Sequence, residues 1–99
     1  MVLHTLNKLP QSAAAIACLK ALTKASKDRD ALLLLEDGVY VADKANEALV
    51  KQVPVRVYAL GVDLEARGLT HRVLQGIEVV SYNDFVQLVA EHKMTKAWI

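Results

Sequence analysis

The sequence predicts a three-layer α/β/α domain whose middle layer is a mostly parallel sheet of about five short strands. Three observations carry the prediction. Short apolar runs alternate with helix-forming stretches along all 99 residues, the pattern of successive βαβ units. One run, residues 31–35, is apolar at every position, as a central strand covered on both faces has to be. The length allows one core and no second domain, so residues 1–99 are read as a single domain.

The elements follow in order. Val2-Leu3-His4-Thr5-Leu6 is the first strand, and a turn runs from Asn7 to Pro10. Residues 12–27 form an amphipathic helix with Lys20, Lys24 and Lys27 on one stripe and Leu19, Leu22 and Ala25 on the other side. Residues 31–35 are the second strand, closed by a turn at Glu36-Asp37-Gly38. A second helix is predicted over residues 40–51, with Val41, Ala45, Ala48 and Leu49 on its apolar side and Pro54 as its outer boundary. The β-branched stretch 55–60 is the third strand.

Asp63 is placed to cap a short helix over residues 64–67, and Gly68 to end it in the left-handed conformation. Residues 77–80 form a fourth strand. Ser81 and Asp84 have the spacing of a capping box ahead of a helix carrying Phe85, Leu88 and Val89. Ala97-Trp98-Ile99 is a short last strand.

Composition narrows the function. Lys and Arg number 12 against 11 Asp and Glu, a formal net charge of +1, which provides no strong field for steering nucleic acid, membrane or anionic substrate. The apolar stretch at residues 31–35 is far short of the roughly 20 residues needed to cross hydrocarbon, so no membrane role is expected. Apolar residues reach about 55% when glycine is counted in place of tyrosine, above the roughly 45–50% of soluble domains. That excess asks for a partner surface.

A lone cysteine, Cys18, excludes an internal disulfide and a thiolate zinc cluster, and a free thiol suits the reducing cytoplasm. It is the chain's one sulfur nucleophile and hence the candidate persulfide site, since only a thiol can hold a terminal sulfur in that form. On an ideal helix it lies roughly 150° from the lysine stripe and near Leu22, a position that favours buried packing.

Other polar groups form no recognisable set. His4, Glu36, Asp37, Asp63 and His71 have neither the HExxH nor the calcium-loop spacing, so no metal is expected. His4 near the end of the first strand and Glu36-Asp37 near the end of the second leave room for a small cleft. Glu36 and Asp37 read more simply as turn residues. No phosphate-binding glycine loop or serine elbow is present, so no cofactor is expected. The lysine stripe with Tyr58, Tyr82 or Trp98 is a candidate RNA-contacting surface, and a nonenzymatic RNA-binding module is the alternative function.

Across almost the whole length the chain resembles the TusB/DsrH family of small sulfur-relay subunits. The resemblance rests on His4-Thr5-Leu6, Leu32-Leu33-Leu34-Leu35-Glu36-Asp37-Gly38-Val39, Val57-Tyr58-Ala59-Leu60, Asp63-Leu64-Glu65-Ala66-Arg67-Gly68-Leu69, residues 77–85 and Ala97-Trp98-Ile99. It implies a DsrE/DsrF/DsrH-like fold and a heterohexamer, a dimer of heterotrimers with two related TusC/TusD-like or DsrF/DsrE-like subunits. Transient sulfur donor and acceptor proteins are implied as well.

Tus-type members are associated with passing persulfide sulfur toward 2-thiolation of the wobble uridine of certain tRNAs, and Dsr-type members with sulfur oxidation. In the tRNA-linked branch the main sulfur-bearing cysteine belongs to the TusD partner, which implies a chiefly structural role for a subunit of this kind. The Dsr-like branch often carries a cysteine in its first helix, where Cys18 stands. The leading expectation from the resemblance is a chiefly structural subunit serving tRNA wobble-uridine 2-thiolation, with or without direct contact with tRNA, and a sulfur-oxidation subunit with Cys18 as its sulfur-binding thiol is the alternative.

Overall fold

A computed structural model describes residues 1–99. Its sheet contains β1 (Val2–Leu6), β2 (Asp30–Leu34), β3 (Arg56–Leu60), β4 (Glu78–Val80) and β5 (Met94–Trp98), in the order β4-β3-β2-β1-β5. All neighbours are parallel: Val2 faces Asp30 on one side and Met94 on the other, and Leu6 faces Leu34 and Trp98. From β1 to β4 the chain steps steadily toward one edge, so right-handed crossovers bring the intervening helices to one face. The last crossover returns past three strands to put β5 outside β1, and its helix covers the opposite face.

Two apolar clusters record this arrangement. On the first face Leu6, Leu32, Leu34, Val57 and Ala59 pack against Ala15, Cys18, Leu19 and Leu22 of α1 (Ala13–Leu22), against Val39, Val41 and Ala42, and against Leu64 of α3 (Gly61–Ala66). On the second face Leu3, Ala31, Leu33, Tyr58, Leu60 and Val80 meet Phe85 and Leu88 of α4 (Tyr82–Glu91). The four residues Ala31 to Leu34 therefore alternate between two cores and are all buried, as the continuous apolar run predicts.

Local chemistry sets most element ends. Ser12 caps α1 by accepting the Ala15 N–H at 3.1 Å. Ser81 and Asp84 form the predicted reciprocal box, Ser81 Oγ accepting from the Asp84 N–H and Asp84 Oδ2 from the Ser81 N–H. That backbone N–H holds the Asp84 carboxyl below its usual range. Gly68 takes φ +67° just after α3.

Four expectations are corrected. The first helix ends at Leu22, not at residue 27. Thr23 Oγ1 donates to the Lys20 carbonyl at 2.7 Å, and the Ser26 hydroxyl accepts the Asp28 N–H, so the chain turns before Lys24 and Lys27 can join a helical face.

The helix expected over residues 40–51 breaks into a 3-10 segment Glu36–Ala42, a second one Lys44–Asn46 and the single turn α2 (Glu47–Val50). Asp43 is extended there because it bridges antiparallel to Val73, with Lys44 N–H donating to the Arg72 carbonyl and Leu74 N–H to that of Ala42. Tertiary pairing overrides the helical periodicity.

Asp63 lies inside α3, which begins directly at Gly61; its carboxylate accepts the backbone N–H of Glu36 at 2.6 Å instead of capping its own helix. Finally, β5 begins at Met94 and pairs along all of β1.

Candidate functional site

Cys18 is the residue with relay chemistry, and the fold turns it inward. It stands on the α1 face that meets the sheet, is 0% exposed and belongs to the larger cluster with Leu19, Leu22 and Leu34. Burial pushes its thiol up to about 12, against a smaller downward pull from the Lys96 ammonium on β5. Burial therefore disfavours the thiolate, the form that attacks sulfur. As it stands, this is a packing cysteine.

His4 is buried too, and fully occupied. On the Leu6 side of β1, its Nδ1 lies 3.1 Å from the indole Nε1 of Trp98 and its Nε2 lies 2.8 Å from Asp30 Oδ1. An indole N–H only donates, so Nδ1 accepts and Nε2 carries the proton given to Asp30. The Trp98 ring stacks on the imidazole with centroids 6.2 Å apart, and Lys96 Nζ sits 4.2 Å from the indole centroid. Sequence reasoning missed Asp30 and Lys96. The available signal was the inward-facing histidine itself, since a buried imidazole needs partners.

The cleft expected between His4 and Glu36-Asp37 does not form. His4 is opposite Leu32 and binds Asp30 at the start of β2, while Glu36 and Asp37 lie beyond the other end of that strand. There Glu36 adopts φ +49°, a left-handed conformation that costs a side-chain-bearing residue about 1–2 kcal/mol. Its N–H is held by Asp63, and Arg67 spans to Asp37 at 3.1 Å and Asp63 at 3.8 Å. These carboxylates brace the turn against α3. His71 is exposed in the following loop, away from that brace.

The candidate RNA surface is not assembled either. Lys20 lies in the last turn of α1, whereas Lys24 and Lys27 lie in the turns beyond its end. Tyr58 is in the second-face cluster and Trp98 is bound to His4, which leaves Tyr82 exposed on α4, across the sheet from α1. An open groove of about 920 Å³ at the N-terminal ends of β3 and β4 carries Lys27 and Arg56 but also Asp28 and Glu78, with no single sign of charge.

No three His, Cys, Asp or Glu side chains converge as a metal set. No helix is long and apolar enough to cross a membrane.

Residues 11–95 match the family model described as DsrH like protein. The proteins named TusB of Shigella flexneri and of Escherichia coli are each 41% identical over 99 residues, covering 98% of this chain and 100% of theirs. The crystal structure of the ychN protein from E. coli superposes with a TM-score of 0.74 over 97% of both chains at 13% identity, a likeness of fold.

Proposed function

The chain belongs to the TusB/DsrH family of sulfur-relay subunits, and from that premise we propose that it is a chiefly structural member of a cytoplasmic complex passing persulfide sulfur toward 2-thiolation of the tRNA wobble uridine. The observation that carries the structural role is Cys18. It is the chain's one thiol, it has no exposed surface, and burial disfavours its thiolate. The free, reduced thiol also supports a cytoplasmic setting. The full-length likeness to proteins named TusB supports the tRNA destination.

Two related subunits in a dimer of heterotrimers are the proposed partners, with sulfur donor and acceptor proteins visiting transiently. The unequal covering of the sheet supports this. One face carries α1, α2, α3 and the 3-10 segments, while α4 alone spans the other. Asp84, Gln87, Leu88 and Glu91 turn toward β3 and β4, which leaves Tyr82, Val86 and Val89, all exposed, on the side toward β1 and β5. A like-folded subunit set against that corner would complete the outer layer and cover the apolar excess.

Co-expression with two related subunits followed by native mass measurement tests the assembly: a six-chain complex with two copies of each is expected, and absence of any specific hetero-complex overturns it. Deleting the subunit then separates destinations. Loss of 2-thiouridine from tRNA digests is the expected result; intact 2-thiouridine with impaired sulfur oxidation assigns the chain to the second branch, which the first-helix position of Cys18 favours.

A further inference from the structure

We infer that His4 is a proton-operated latch on the end of the edge strand β5. The inference stands apart from the sulfur-relay reading, since it uses only the contacts of this chain. In its neutral form the imidazole has a bare Nδ1 that accepts the Trp98 indole N–H and an Nε2–H that donates to Asp30. A proton taken from solvent can enter only at Nδ1, the position at which Trp98 aims its own N–H. Two donors then face each other and the Trp98 bond is lost.

The surrounding charges act in the same direction. The ionisable groups on His4's side of the sheet are Asp30 from β2, Lys96 from β5 and, from α1, which packs on that same face, the Cys18 thiol. Asp30 retains the imidazolium in place, 2.8 Å away, so the ring does not swing out to follow Trp98. Lys96 is opposite His4 in the strand register and its ammonium sits 4.2 Å from the indole centroid; a new positive charge on the imidazole stacked with that indole repels it.

Trp98 is the residue that can yield. Its strand pairs only with β1, its outer edge is unpaired, and every other residue of β5 is exposed. Acidification therefore releases the Trp98 end of β5 while Asp30, His4 and the central strands stay together.

The chain has a single tryptophan, so indole NMR and fluorescence report on this latch alone. In the full chain, between pH 5 and 8 where imidazoles change charge, solvent exchange of the indole N–H, corrected with free indole, is expected to rise about tenfold on the acid side, with a matching fluorescence change. His4→Gln, which keeps an acceptor but does not titrate, removes the transition. Asp30→Asn, whose amide oxygen still accepts from Nε2–H, keeps the Trp98 bond on the alkaline side. His71 and His92 remain in both variants and cannot substitute for His4.

Equal protection at both ends of the range, or a transition that survives His4→Gln, overturns the latch. If His4→Gln does not fold, the ring nitrogen shifts of the unmodified protein decide. A bare Nδ1 at pH 8 that gains a proton by pH 5 supports the proposal, and an Nδ1 already protonated at pH 8 overturns it.

Discussion

Gly38→Ala is expected to destabilise the fold by about 3–5 kcal/mol, enough to leave a domain of this size largely unfolded. A Cβ at this position would overlap the Leu6 carbonyl oxygen and stand 2.7 Å from the carbonyl carbon and 3.3 Å from Asn7 N. All three are backbone atoms at the end of β1, where no side chain can rotate aside. The same Leu6 oxygen accepts the Leu35 N–H at 3.1 Å, so retreat of β1 breaks the contact that joins the ends of the two central strands. Gly68→Ala is the control. Its site has φ +67° but nothing within 4 Å, so only the conformational cost of about 1–2 kcal/mol applies. Urea unfolding checks the pair, and a Gly38→Ala midpoint at or above that of Gly68→Ala would show the close approach to be dispensable.

Leu33→Ala is expected to cost about 2–5 kcal/mol. Leu33 is 0% exposed at the centre of the smaller cluster, with Leu3, Tyr58, Leu60 and Val80 around it and Phe85 and Leu88 above. Only α4 covers this face, so the lost side chain leaves a cavity beneath the one element able to close it. Amide exchange over residues 82–91 should accelerate more than exchange in α1, which packs on the other face. Equal acceleration in both helices would contradict two separately packed cores.

The legible parts of the fold were those decided by local chemistry. Ala31 to Leu34 announces a strand covered on both faces, Ser81 with Asp84 announces a capped helix, and Gly68 announces a left-handed stop. The 3-10 path through residues 36–46 was not legible, because Asp43 is extended by a bridge to Val73, 30 positions away. Asp63 was read as a cap for the same reason: its partner, the Glu36 N–H, is remote in sequence and fixed by a turn whose strain appears only in three dimensions. Thr23 and Ser26 shortened α1 through side-chain bonds that compete with helix continuation.

The candidate site divides along the same line. The helical angle of Cys18 relative to the lysines already indicated burial, and the packed structure adds the raised thiol pKa. The histidine array depends on β5 joining the sheet beside β1, which brings Trp98 to a residue 94 positions earlier. No local pattern encodes that adjacency. His4 could be recognised as inward-facing, but its partners follow from the strand order β4-β3-β2-β1-β5.

The central claim is that this chain contributes structure to a sulfur relay and that its thiol carries no sulfur. Intact-mass analysis of the assembled complex after treatment with a persulfide donor, performed with wild-type and Cys18→Ala subunits, tests it most directly. The account predicts that this subunit never gains the mass of a sulfur atom and that the Cys18→Ala complex passes sulfur to its acceptor at the wild-type rate. A sulfur adduct on Cys18, accompanied by loss of transfer in a Cys18→Ala complex that still assembles, would contradict it.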